Sequence, residues 1–324
     1  MSVPVSRRAF IKAGLLTASA AASAPTIVRG AGASSGSELA TLMDIRNCIG
    51  CEACVEACRE SNADKFPEPE GEFPRMVPVE RVKIEDWSSD EKREVTDRLT
   101  PYNWLYIQYA EGEYGGESFD LTIPRRCMHC RNAPCVNLCP FGAAHTQKNG
   151  IVRIDADTCL GGSKCRKVCP WHIPQRQSGV GIHLDLLPQY AGNGVMYKCD
   201  RCYQLVAQGE LPACIEACPE EVQEIGPRRE ILEKAKTLAA EIDGFIYGAD
   251  ENGGTNTIYV SPVPFEVLNQ ALAKGPGEPH FKSVADTMAA PNRLMAALAL
   301  APVAGVIGAA TRFKRTAENL TTKE

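Results

Sequence analysis

The sequence predicts an α+β chain, with small antiparallel strands and short helices wrapped around two paired cluster-binding units, and a C-terminal transmembrane helix beyond them. Three observations predict it. Fifteen cysteines fall into four runs, the runs repeat one another, and an uncharged apolar stretch lies near the C-terminus.

The first run is Cys48-x2-Cys51-x2-Cys54-x3-Cys58, and the second is Cys127-x2-Cys130-x4-Cys135-x3-Cys139, followed by Pro140. The fourth is Cys199-x2-Cys202-x11-Cys214-x3-Cys218, again followed by a proline, Pro219. The third, Cys159-x5-Cys165-x3-Cys169-Pro170, has Gly162 where a second cysteine would stand. Three closely spaced thiolates of such a run hold one iron–sulfur cubane, and the distal cysteine serves the other cluster of a pair. Each run reads as a loop around a cluster followed by a short helical turn. In pairs the runs form a pseudo-twofold dicluster ferredoxin-like unit, so four runs mean two interleaved units over residues 34–270 and four clusters.

Composition agrees with that reading. Glycine (27) and proline (22) are abundant and aromatic residues are 6% of the chain, so metal–thiolate bonds have to supply part of what apolar burial does not. The net charge of −5 argues against a nucleic-acid partner, which favours a basic face.

The N-terminus carries an address. Ser6-Arg7-Arg8-Ala9-Phe10-Ile11-Lys12, followed by a weakly apolar stretch, matches a twin-arginine export signal over residues 1–33, with Ala31-Gly32-Ala33 as the cleavage site; a basic amphipathic N-terminus is the alternative. The twin-arginine route exports folded protein. Thiolates already bound to iron would not pair as disulfides, although an exported cysteine-rich chain ordinarily suggests them.

The 68 residues from Arg59 to Arg126 separate the first two runs. Within them Arg75–Ile84 and Trp104–Tyr109 read as strands, and Asp90–Arg98 as a solvated charge run. Glu230–Ile242 has apolar residues at helical spacing and ends at Asp243-Gly244. Asn256–Val263 reads as a late strand, and the Gly275–Pro279 stretch as part of a linker over 271–291. The uncharged run Leu294–Ala310, placed in a helix over 292–312, would span about 25 Å, enough with flanking Arg293 and Arg312 to cross a core of about 30 Å. Lys314 and Arg315 put the tail, 313–324, in the cytoplasm and the body outside. A buried or partner-docked helix is the alternative, and Pro302 counts for it.

The order of the four runs, with R-C-M-H-C-R-N-A-P-C-V-N-L-C-P at 126–140 and Y-K-C-D-R-C at 197–202, resembles the four-cluster electron-transfer (beta) subunit of the dimethyl-sulfoxide reductase and formate dehydrogenase group over about residues 40–265. With both terminal addresses it looks most like the membrane-anchored hydrogenase-2-type iron–sulfur subunit. The resemblance implies four ligand sets. Cys48, Cys51, Cys54 and Cys218 would hold one 4Fe–4S cluster; Cys199, Cys202, Cys214 and Cys58 a second; Cys127, Cys130, Cys135 and Cys169 a third. Cys159, Cys165 and Cys139 would hold a fourth with an open corner at Gly162, which makes it a 3Fe–4S cluster and the most oxidising of the four. A 4Fe–4S cluster completed by water or Ser163 is the alternative there.

His129, His145, His172, His183 and His280 read as surface residues or as hydrogen-bonding neighbours of sulfur rather than ligands. No catalytic triad, phosphate loop or substrate pocket is legible, so catalysis belongs to another polypeptide. The function expected is an electron-transfer subunit on the periplasmic side of the cytoplasmic membrane, between a catalytic molybdopterin or nickel–iron subunit and an integral membrane quinone-reactive or cytochrome subunit. A free-standing periplasmic polyferredoxin is one alternative. A structural protein held by zinc or disulfides is another, of a different class.

Overall fold

A computed structural model of the chain describes residues 37–69, 73, 84–186, 193–290 and 292–294. The export signal, the strand over 75–84 except Ile84, and the apolar run beyond Leu294 lie outside the described residues. Among the described residues no helix is long and apolar enough to cross a membrane.

Strand β1 (Leu39–Asp44) leads through the first cysteine run into α1 (Ala53–Ser61), and after a single turn α2 (Asp90–Arg93) comes the hairpin β2 (Tyr106–Tyr114) and β3 (Glu117–Arg125). The second and third runs carry short elements: α3 (Pro134–Asn137), β4 (Ala144–Thr146), β5 (Val152–Ile154), α4 (Lys164–Val168), β6 (Gln175–Gln177), α5 (His183–Leu186) and β7 (Val195–Tyr197). The fourth run holds α6 (Tyr203–Ala207) and α7 (Ala213–Glu216). The chain then closes with β8 (Gln223–Pro227), α8 (Arg228–Glu241), β9 (Phe245–Tyr247), β10 (Thr257–Ser261) and α9 (Phe265–Ala271).

One four-stranded sheet, ordered β8-β1-β10-β9, anchors these loops. Its central pair, β1 and β10, is parallel, so the small strands are not all antiparallel as expected; β8 and β9 flank it antiparallel. All six residues of β1 are buried because both faces are covered. On one face Ala40, Leu42, Ile258 and Val260 meet Ile231, Ala235 and Ala239 of α8. On the other, Met43 and Tyr259 join a core that contains most of the buried cysteines. The stripe Ile231–Ala235–Ala239 recurs every fourth residue, which makes α8 a one-sided helix. Burying Ile231 alone contributes about 1.5–3 kcal/mol. The helix starts two residues before the expected Glu230 and stops where Gly244 N–H bonds to the Ala239 carbonyl at 2.8 Å.

Strand β2 runs five residues past the expected Tyr109, paired throughout with β3. The two-residue loop is Gly115-Gly116, with φ of 64° and 87°, the left-handed pair a tight hairpin requires. At the other end the stretch expected as a linker is docked. Gly277 accepts from Leu99 N–H, and beyond it Phe281 is fully buried against Tyr247, Tyr259 and Phe265. Arg125 lies over the Phe281 ring at 3.6 Å. Glycine and proline mark the turn here, but they say nothing about the aromatic residue that follows it.

Candidate metal centres

The four cysteine loops are built alike. Gly50 (φ 66°), His129 (47°), Gly161 (65°) and Arg201 (58°) each stand directly before the second position of their run, in the left-handed region. The turn aims a backbone N–H at the first sulfur: His129 N to Cys127 Sγ and Arg201 N to Cys199 Sγ, both 3.4 Å. Glycine accepts that backbone freely; His129 and Arg201 adopt it at a cost that the surrounding fold must cover. The Cys-Pro ends repeat as well. Gly142, His172 and Glu221, three residues after Cys139, Cys169 and Cys218, are left-handed and donate their N–H back to those cysteines' carbonyls at 3.1–3.4 Å.

These turns bring the thiols into four groups. Cys48, Cys51, Cys54 and Cys218 line one cavity with Ile107 and Pro124. Cys58 sits among Cys214, Cys199 and Cys202. Cys130 sits among Cys169, Cys127 and Cys135. Cys139, Cys159 and Cys165 line a second cavity with Gly161, Gly162 and Ser163. The groups follow one another: Cys54 neighbours Cys214, Cys199 neighbours Cys127, and Cys165 neighbours Cys135. All fifteen cysteines are free of disulfides.

The electrostatics test whether iron–sulfur clusters fit. Burial, and after it the neighbouring thiols, pushes Cys54 and Cys169 up to about 12, Cys135 to about 11, and Cys58 and Cys130 well above the usual thiol value. Thiols packed this way ionise only on a cationic partner, and iron supplies one. Cations are also buried without a carboxylate. Arg126 is fully enclosed, and its Nη1 donates to Cys214 Sγ at 2.9 Å while Nε and Nη2 have no protein partner. Burial opposes its charge, but Cys214 and Cys199 outweigh that and raise its pKa. Lys198 is raised likewise: burial opposes its charge, while Cys127, Cys135 and Cys199 favour it. Arg201 donates to the carbonyls of Leu39 and Asn256, and burial, with Arg126 beside it, lowers its pKa to about 9. Unpaired buried cations cost several kcal/mol each unless an anion compensates them. Thiolate-ligated clusters, which are anionic, fit both the orphaned donors and the thiols.

At the third run Gly162 is open. A Cβ built on it meets no atom of the wider fold within 4 Å. Ser163, next to it, turns its hydroxyl to the Gly161 carbonyl and the Met196 sulfur, both at 3.4 Å.

Two family models, each described as a 4Fe-4S dicluster domain, match residues 47–143 and 119–228. Over 230 residues the chain is 30% identical to the iron-sulfur subunit of the nitrate-inducible formate dehydrogenase of Escherichia coli (strain K12), covering 69% of this chain and 68% of that one. The chain belongs to this family of dicluster iron–sulfur subunits. The subunit is also 33% identical to the probable anaerobic dimethyl sulfoxide reductase chain YnfG of the same strain, over 61% of its own length and 78% of the relative's. It is 28% identical to the hydrogenase-2 operon protein HybA of Escherichia coli O157:H7, over 82% and 83%. It is thus an electron-transfer subunit of an oxidoreductase complex that binds 4Fe–4S clusters and is not catalytic alone.

The buried cations of the subunit escape sequence reading, because a basic residue beside a cysteine looks like solvated surface. The only hint is that Arg126, Lys198 and Arg201 each adjoin a cysteine. The histidines fall on ordinary partners. His129 is fully buried, with Nδ1 accepting from Val152 N–H and Nε2 without a protein partner. His145 Nε2 accepts from Arg153, His172 Nδ1 pairs with the Arg166 carbonyl, and His280 Nε2 with that of Pro170. His183 is buried in α5.

Proposed function

We propose that the subunit is a four-site electron relay, exported by the twin-arginine route and tethered to the periplasmic side of the cytoplasmic membrane by its C-terminal segment. It carries three 4Fe–4S clusters, on Cys48, Cys51, Cys54 and Cys218, on Cys58, Cys199, Cys202 and Cys214, and on Cys127, Cys130, Cys135 and Cys169. A 3Fe–4S cluster on Cys139, Cys159 and Cys165, open at Gly162, completes the set. The observation that carries this reading is the series of four thiol groups, each neighbouring the next and each end open to solvent at Cys51 or Gly162.

When bound, the clusters supply one-electron exchange. The chain's own part is to hold the groups in order, keep water from the inner ones, and direct N–H donors and buried cations at their sulfurs. The relatives' names, a hydrogenase operon protein and subunits of formate dehydrogenase and dimethyl sulfoxide reductase, support a place in an oxidoreductase complex. On the sequence resemblance and the two terminal addresses, we assign a nickel–iron or molybdopterin catalytic subunit at one end and a quinone-reactive or cytochrome membrane subunit at the other.

Mild detergent should release the subunit together with both partners, and hydrogen or formate should bleach its visible absorption. A chain that purifies alone and is not reduced by either would contradict the relay. The tether is tested on spheroplasts, where external protease should release the body while a C-terminal tag stays protected. Arg7→Lys with Arg8→Lys should strand cluster-loaded protein in the cytoplasm; normal export of that variant by itself would remove the signal assignment.

A further inference from the structure

Arg126 and Lys198 are not cysteine ligands, yet both are buried among the thiols of the two inner groups. We propose that these two buried cations set the reduction potentials of the inner centres, holding both above the outer cubane at Cys48, Cys51, Cys54 and Cys218. The proposal rests on the cluster reading above and says which residues of the chain grade the relay.

Arg126 donates Nη1–H to Cys214 Sγ at 2.9 Å and leaves Nε and Nη2 unpartnered in the protein. It acts most on Cys214 and Cys199, and only as the last-named influence on Cys58 and on Cys54 of the outer group. Lys198 Nζ donates to two neutral carbonyls, those of Val152 and Cys199, while Cys127, Cys135 and Cys199 lie around it. The nearby carboxylate, Asp200, is taken up by Lys65 at 2.9 Å and by Cys202 N–H. So neither Arg126 nor Lys198 forms an ion pair with a side-chain acid, although Asp200 lies near Lys198.

The far end differs. Arg166 and Arg176, beside the Gly162 loop, both pair with Glu85, at 2.6 and 2.9 Å. Glu85 offsets one of these two charges, whereas no carboxylate forms an ion pair with Arg126 or Lys198 among the described residues. Reduction adds one electron, hence one negative charge, to a centre. An uncompensated cation in a water-free interior stabilises that added charge, and an N–H···S bond withdraws density from the sulfur. Both effects raise the potential. Among the described residues no N–H···S bond reaches the outer cubane's Cys48, Cys51, Cys54 or Cys218, whereas the Gly162 group has one, from Met196 N–H to Cys159 Sγ at 3.4 Å.

The test is a potentiometric titration of the full chain, purified anaerobically, reduced with dithionite and followed by electron paramagnetic resonance. The signal altered by Cys202→Ser identifies the Arg126-linked centre. In Arg126→Gln, the ratio of reduced to oxidised centre at fixed potential should fall at least tenfold there, a downward shift of about 59 mV for one electron. The outer cubane should change less than twofold, and Arg126→Lys should recover most of the loss. Lys198→Met should lower both inner centres. Full iron and sulfide with unmoved potentials would overturn the proposal and leave the cluster reading intact. A wild-type chain without sulfide would overturn the cluster reading itself. If Arg126→Gln loses its cluster, Arg126→Lys and Lys198→Met decide; loss of iron from all three would assign these cations to assembly and also overturn the proposal.

Discussion

The eight cysteines of the two inner groups are all buried, whereas among the seven of the outer groups Cys51 is exposed and Cys48, Cys139 and Cys218 are half-buried. The same loop geometry serves both. What differs is what surrounds it: inner thiols meet Arg126, Arg201 and Lys198, and outer thiols meet solvent and apolar rims such as Ile49 (63% exposed) and Phe141 (58% exposed). In this subunit the inner groups are the core. The outer groups are openings in it, which is where a relay must hand electrons to other proteins.

The largest consequence follows from leaving out iron. Without clusters the inner thiols and cations have no counterpart, so apo-protein should show no cooperative thermal transition in near-ultraviolet circular dichroism. An apo chain that melts as sharply as the loaded one would erase the distinction between core and opening. Next comes a pair of single substitutions. Cys130→Ser should cut the yield of folded protein several-fold and lose iron from more than one group, while Cys51→Ser should lose iron from its own group alone. Iron per chain in the soluble fraction separates the two. Phe281→Ala removes the ring beneath Arg125, next to Arg126, and should cost about 3–5 kcal/mol in denaturant unfolding. A loss under about 1 kcal/mol would mean that the segment after Gly277 is not part of the body.

The smallest effect on stability belongs to Gly162→Cys. The added side chain meets open space, so stability should move by less than about 0.5 kcal/mol while the three-iron signal gives way to a 4Fe–4S one. An unchanged oxidised spectrum would show that the missing thiolate does not shape this centre.

Much of this was legible in the chain. The four runs announce the thiol groups because ligand spacing is imposed by cluster geometry, and α8 announces itself through its apolar stripe at Ile231, Ala235 and Ala239. Strand β1 is silent: covered on both faces, Leu39–Asp44 shows no alternation. The β3 half of the hairpin is polar along its outer length, and only Gly115-Gly116 signals its turn. Arg126, Lys198 and Arg201 are hidden for a deeper reason. Their burial depends on the charge of a cofactor, and residue type alone does not encode that.

The most direct test of the four-site account is iron, acid-labile sulfide and spin measured on one anaerobically matured preparation. The account predicts about fifteen iron atoms per chain and a three-iron signal of about one spin in the oxidised protein. Stoichiometric zinc without sulfide, or about sixteen iron atoms with no three-iron signal, would contradict it.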